Sequence, residues 1–225
     1  MNPKQRAAEA AIAFVQSGMV VGLGTGSTAD EFLRALAAAI QSGRLRDIRG
    51  VPTSRQSERR AQQLGIPLAA LAECPMPDVT IDGADEVAPD LNLIKGLGGA
   101  LLREKIVAQN SRQLIIIADH TKRVSCLGTR SPLPVEVIPF CHDLHVPFLT
   151  RLGCRAVLRG TAGGEVFVTD SGNYIYDCHF DRIDDPVALE ATLLHRAGIV
   201  DSGLFIGIAA CALIADDASV QQVRR

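Results

Sequence analysis

The sequence predicts an α/β protein: a mainly parallel sheet with helices on both faces, plus a smaller inserted α+β lobe. Three observations point there. Short apolar runs, MVVGL at 19–23, DVTID at 78–82 and QLIIIAD at 113–119, alternate with helical patterns through the first half. Strands covered on both faces read as such unbroken apolar runs. Beyond about residue 128, strand-like segments are joined instead by the turn signals TAGG and DSGN, as in a lobe built on antiparallel pairs. The run GLFIGIAACALIA at 203–215 then reads as core strand again. Residues 1–128 and 201–225 are therefore expected to form the main domain, and 129–200 the inserted lobe.

The elements follow in order. KQRAAEAAIAFVQ repeats apolar residues at helical spacing and stops at Gly18; STADEFLRALAAAI starts a second helix, with Ser27 or Thr28 as the expected cap. IRGVP reads as a strand and SRQSERRAQQLG as a polar helix closing on Gly65. DVTID, LNLIK (91–95) and QLIIIAD are further strands, and GALLREKIVAQ is the helix before the last of them. In the lobe, PLPVEVIP (132–139), CRAVLR (154–159), EVFVTD (165–170) and NYIYDCHF (173–180) read as strands. Helical patterns fall at DLHVPFLTRLG and DPVALEATLLHRAG.

Composition narrows the function. At 225 residues, with 47% hydrophobic and 21% charged residues, the chain is an ordinary globular protein with a sizeable core. A net charge of −2 offers no basic face for nucleic acid and no polybasic run for an anionic membrane. The N-terminal segment is amphipathic and lacks the apolar core and cleavage site of a signal peptide. The longest apolar stretch, LFIGIAACALIA, falls short of the roughly 20 residues a spanning helix needs. A cytoplasmic setting is expected. Six scattered cysteines without a CxxC pair suggest reduced thiols. CHDLH crowds Cys141, His142, Asp143 and His145 together, yet no second ligand group has zinc-like spacing, so a metal site is not expected there.

The chemistry-bearing segments sit where strands end. GLGTGST (22–28) follows a strand and opens a helix, so its glycines and first-turn amides suit an anion. It is not a dinucleotide fingerprint: Ser27 stands where the third glycine would fall, and no acid follows the next strand. Read alone, the loop is either a phosphate site or a tight turn with a capped helix. DGADE (82–86) puts Asp82, Asp85 and Glu86 at the carboxyl end of an apolar strand, the edge where parallel sheets bind ligands. KGLGG (95–99) sets Lys95 beside Gly96, Gly98 and Gly99 at a second strand-to-helix turn. Glu104 falls in an apolar stripe; its partners three and four positions away are Ala100, Leu101, Val107 and Ala108, none a cation. Partial desolvation there would raise its pKa toward the range useful to a general base. Lys122 follows the LIIIAD strand and Lys4 opens the first helix; each is a cation that can support the same edge or simply face solvent.

GLGTGSTA, DGADE, KGLGGALLREK and PLPVEVIPF occur in the order and spacing of ribose-5-phosphate isomerase, type A, and the sequence resembles that family over nearly its whole length. The resemblance implies a Rossmann-like domain with a smaller ferredoxin-like lobe, assembled as a homodimer or homotetramer. It implies interconversion of ribose 5-phosphate and ribulose 5-phosphate without metal or organic cofactor. It assigns Glu104 as the proton-transferring base, Asp82 and Asp85 as the carboxylates that handle substrate hydroxyls and ring opening, and Lys95 as the cation at the reacting oxygens. Thr25, Gly26, Ser27 and Thr28, with Gly83, Ala84, Gly96, Leu97, Gly98, Lys122 and Lys4, become substrate-binding. Ser131 departs from the pattern, standing where a bulky apolar residue is expected. The competing readings are a non-catalytic sugar-phosphate sensor, an amino-sugar phosphate deaminase, a CoA transferase and a nicotinamide dehydrogenase.

Overall fold

A computed structural model describes residues 1–224. Along the chain the elements are α1 (Pro3–Ala11), β1 (Val20–Leu23), α2 (Ser27–Gln41), β2 (Arg49–Pro52), α3 (Arg55–Gln63), β3 (Val79–Asp82), β4 (Glu86–Val87), β5 (Leu93–Ile94), α4 (Leu101–Asn110) and β6 (Leu114–Asp119). They continue with β7 (Leu133–Val137), α5 (Val146–Arg151), β8 (Arg155–Leu158), β9 (Tyr174–His179), α6 (Pro186–Leu194), β10 (Ile199–Ser202), β11 (Leu204–Phe205), β12 (Ala209–Ala215) and β13 (Val220–Arg224). Among the described residues, no helix is long and apolar enough to cross a membrane.

The chain folds into two compact units. The first holds Met1–Ala84, Arg103–Lys122 and the residues from Gly207 onward. Its sheet runs β13-β12-β6-β3-β1-β2. Every neighbouring pair is parallel except β12 with β13. Strands β1, β3 and β6 are buried at every position, the signature of a sheet covered on both faces and the reason their sequences show no alternation. Leu23, Ile81, Ile115, Ile117 and Leu213 of the sheet share one core with Phe32 and Leu36 of α2 and the small face Ala7, Ala8 and Ala11 of α1. Alanines there let α1 lie close against β6 and β12. Asn2 and Gln5 form a reciprocal capping box on α1, with Pro3 in its first turn. The helix is shorter than its periodicity suggests: Ile12–Phe14 tighten into a 3₁₀ turn and Val15 is extended. That turn eclipses positions three apart and buries Ile12 and Val15 together.

The second unit holds Asp85–Leu102 and Arg123–Ile206. Residues 85–102, which the sequence reading places in the main domain, thus group with 123–206. The reason is strand pairing: β5 pairs with both β4 and β11 in a three-stranded antiparallel sheet. LNLIK therefore does not extend the parallel sheet. Leu91 has φ 61° and its amide bonds Ala88, closing a hairpin that turns β5 back on β4. A four-stranded antiparallel sheet, β10-β7-β9-β8, carries α5 and α6 between its strands in the βαββαβ order of ferredoxin-like lobes. Its core includes Leu133, Val135, Val137, Tyr176 and Cys178 of the sheet with Leu149 and Leu193 of the helices. EVFVTD is not a strand. It makes one isolated bridge, Gly160 to Val166, and leaves Val168 54% exposed, because Phe167 is committed to packing against Gly99.

Candidate active site

In the first unit, the motif GLGTGST and the first residues of DGADE, Asp82 and Gly83, meet at the carboxyl ends of β1 and β3. Asp82 is 1% exposed, and its Oδ1 accepts the amides of Thr25 at 3.0 Å and Gly83 at 2.7 Å. Gly24 permits this approach: a Cβ there would collide with the Asp82 carboxylate and lie 2.6 Å from its Cα. From the other side, the Thr25 hydroxyl donates to Ser54 at 2.7 Å and lies 2.9 Å from the Thr53 hydroxyl, which itself donates to the Leu23 carbonyl at 2.8 Å. Thr25, Thr53 and Ser54 are all buried. The loop is held between a carboxylate and a pair of hydroxyls. Thr53 and Ser54 directly follow β2, so the strand-end rule that points to Asp82 applies equally to them. Gly24→Ala should therefore push Asp82 and Thr25 apart and lower turnover by about 10², with most of the fold retained. Steady-state kinetics beside a thermal melt checks this, and wild-type turnover would show that the spacing is not critical.

The start of α2 differs from expectation in one detail. Neither Ser27 nor Thr28 caps the helix; Gly26 does, at φ 109°, with no side-chain cap hydrogen bond among the described residues. That backbone conformation belongs to glycine. It makes Ser27 the first helical residue, so its hydroxyl receives Lys4 Nζ at 2.9 Å. The amide end of a helix left without a side-chain cap attracts anions. Asp119, at the end of β6, organises the cations nearby. Burial alone would raise its pKa, but hydrogen bonds from the Thr121 side chain and amide, with the charges of Lys122 and Lys4, outweigh it and hold the carboxyl below its ordinary value. Lys4 and Lys122 are thus gathered around one carboxylate beside Ser27. A cavity of about 560 Å³ opens here, lined by Gly24 to Ser27 and by Arg59 and Arg60 of α3; Asp30 holds Arg60 at 2.5 Å.

Glu104 belongs to the same unit. On α4 it is 3% exposed, and its flanking helix neighbours Val107 and Ala108 are buried with it. The helical angle read from the sequence thus identified a buried carboxylate on an apolar stripe. Val107 packs with Val20, Val51 and Cys74, which anchors this helix face to the sheet.

In the second unit, Asp85 and the KGLGG turn form one structure. The Asp85 amide donates to the Ile94 carbonyl at 2.8 Å, and its Oδ2 accepts the Leu97 amide at 3.0 Å. Lys95 is 2% exposed; its amide bonds the Gly203 carbonyl at 2.9 Å and its Nζ sits 5.3 Å from the centre of the Phe205 ring. Gly96 and Gly99 take φ 103° and 79°, which bends the chain from β5 into α4. Glu86 has a structural role. It is fully buried, and its carboxylate accepts the amides of Gly128, Arg130 and Ser131 at 2.6–2.7 Å, which fixes the segment entering β7. Ser131, the departure from the family pattern, contributes its backbone there.

Of the predicted site residues, Lys4, Thr25, Gly26, Ser27, Thr28, Asp82, Gly83, Ala84, Glu104 and Lys122 lie in the first unit. Asp85, Lys95, Gly96, Leu97 and Gly98 lie in the second. No group of His, Cys, Asp and Glu among the described residues is arranged to hold a metal ion. In CHDLH, His142 instead bonds the Tyr176 hydroxyl at 2.8 Å, and His145 accepts Arg196 Nε at 3.0 Å. Burial, then the charges of Arg196 and His142, holds His145 below its ordinary pKa.

Together these features define a class: an α/β protein with a glycine-rich strand-to-helix turn at the carboxyl edge of a parallel sheet, together with the buried carboxylates Asp82 and Glu104. The family model for ribose 5-phosphate isomerase A (phosphoriboisomerase A) matches residues 49–219. The chain is 53% identical over 212 residues to ribose-5-phosphate isomerase A of Roseiflexus castenholzii, covering 94% of this chain and 91% of that one. A solved D-ribose-5-phosphate isomerase in complex with phospho-erythronic acid is similar at a TM-score of 0.97 and 39% identity, with 100% of both chains covered. Ribose 5-phosphate isomerase A of Methanocaldococcus jannaschii is similar at a TM-score of 0.94 and 38% identity, covering 99% of this chain and 98% of that one. The chain belongs to the ribose 5-phosphate isomerase A family.

Proposed function

We propose that this protein interconverts D-ribose 5-phosphate and D-ribulose 5-phosphate by carboxylate-mediated proton transfer through an enediolate, as its family membership implies. One observation carries the reading: the Thr25 amide bonded to Asp82 couples the anion cradle to a buried carboxylate. A substrate held by its phosphate therefore presents its hydroxyls at a fixed distance from that group. In this reading Lys4, Lys122, Ser27 and the first-turn amides of α2 take the phosphate, whose binding energy positions the sugar. Asp82 and Asp85 hold the hydroxyls and assist ring opening.

Glu104 then removes the proton on C2, leaving an enediolate. The hydroxyl proton passes from the C2 oxygen to the C1 oxygen, and Glu104 returns its proton to C1, giving the ketose. One carboxylate serves both halves because C1 and C2 are adjacent. Lys95 and the amides of the glycine turn stabilise the negative oxygen between the two steps. The phospho-erythronic acid held by the solved relative pairs a phosphate with a carboxylate, the charge pattern of a phosphorylated enediolate. Assembly as a homodimer or homotetramer, with a cytoplasmic setting, belongs to the same reading and rests on family membership.

The test is isomerisation of ribose 5-phosphate by the purified protein with and without EDTA. Turnover undiminished by the chelator is expected. Activity recovered only on adding a divalent ion would reject the mechanism, and binding without turnover would favour a sugar-phosphate sensor.

A further inference from the structure

Arg159 sits at the end of β8, far in sequence from every predicted site residue, yet its guanidinium is spent on the glycine turn. Its Nη1 donates to the carbonyls of Gly96 at 3.0 Å and Leu97 at 3.2 Å. The rest of the fork, Nε at 2.9 Å and Nη2 at 2.5 Å, grips both oxygens of Asp177 on β9. The pair is largely buried, with side-chain exposures of 11% and 20%. Phe167 completes the clamp: the Arg159 guanidinium lies 5.7 Å from its ring centre, and the ring packs so closely on Gly99 that a Cβ there would strike it.

The consequence follows from peptide geometry. Consecutive carbonyls drawn toward one cation orient the adjoining peptide planes, and with them the amides on the opposite side. One of those is the Leu97 amide, which donates to Asp85 Oδ2 at 3.0 Å. A guanidinium suits the task better than an ammonium, since its planar fork holds a carboxylate with two donors and still presents a third elsewhere.

We propose that Arg159, held by Asp177 and backed by Phe167, is a positioning residue for the reaction: it fixes the Gly96–Leu97 peptides and, through the Leu97 amide, Asp85. It acts on the turn and does not touch substrate. The proposal rests on the isomerase reading above.

The test separates positioning from stability. Arg159→Ala leaves Asp177 buried without its partner, which costs stability whatever Arg159 does in catalysis. The double variant Arg159→Met, Asp177→Leu removes both charges and is expected to recover the thermal midpoint. Measured against ribose 5-phosphate, the double variant should still show kcat lowered by about 10² with KM changed by less than about threefold, as for a misaligned reacting group. Added guanidinium should restore part of the Arg159→Ala turnover and none of the Glu104→Gln turnover. Wild-type kcat in a stable double variant would overturn the proposal and leave the isomerase reading intact. If both variants fail to fold, kcat is read on Arg159→Lys, whose ammonium lacks the planar fork, and wild-type kcat there overturns the proposal too. An inactive wild-type protein would instead overturn the isomerase reading.

Discussion

Glu104→Gln should fold like the parent and bind ribose 5-phosphate comparably while kcat falls by about 10² or more, the loss associated with removing a general base. The side chains are nearly equal in size, so the packing around a residue only 3% exposed is preserved. What changes is the capacity to accept a proton from carbon. Glu104→Asp provides the second arm. It keeps the carboxylate and withdraws it by one methylene, so its kcat should fall between those of the parent and the glutamine variant if reach matters. Single-turnover measurements of the isomerisation check both. A glutamine variant with kcat near that of the parent would remove Glu104 from the proton-transfer step.

Lys95→Ala should lower kcat by a comparable factor, about 10² to 10³, typical of losing a group that stabilises a transition-state oxyanion. Lysine is rarely this buried, and at 2% exposure with its Nζ over the Phe205 ring the side chain is confined to one direction. Lys95→Met distinguishes charge from volume. Methionine keeps most of the stem and its contact with Phe205, so the melting temperature should hold, while the missing cation should leave kcat as low as in the alanine variant. An effect confined to KM in both variants would recast Lys95 as a binding residue.

Much of this was legible because the decisive signals are local. The unbroken apolar runs VVGL, VTID and LIIIAD marked strands buried at every position. Asp82, whose carboxylate bonds the Thr25 amide across 57 positions of sequence, stands where the strand-end rule looks for ligand-facing groups, while Thr25 is implied only by the family resemblance. The burial of Glu104 was legible from helical angle, which depends only on residues within a turn. The failures share an opposite cause. EVFVTD has the composition of a strand, but Phe167 packs on Gly99, a tertiary demand that no local pattern announces. LNLIK is strand-like, yet Leu91 at φ 61° reverses the chain ahead of it. The Ser27 or Thr28 cap was a sound expectation from side-chain preference, overridden because Gly26 takes the cap at φ 109°. Arg159 lies 62 and 63 positions from the carbonyls it holds, and nothing in its neighbourhood sets it apart from a surface arginine.

The way the chain is shared between the two units has a consequence for biosynthesis. Neither unit is one continuous stretch: the chain passes between them after Ala84, Leu102, Lys122 and Ile206. In the six-stranded sheet, β12 pairs with β6 on one side and β13 on the other, and α1 packs against both β6 and β12. Until residue 215 has left the ribosome, β6 presents a bare parallel edge and α1 lacks half of its floor. Completion of this sheet is thus governed by contacts of very large sequence separation, which slow folding. Nascent chains of this protein should carry an open strand edge on β6 from the completion of Asp119 until Ala215 has emerged, the condition under which chaperone engagement matters most.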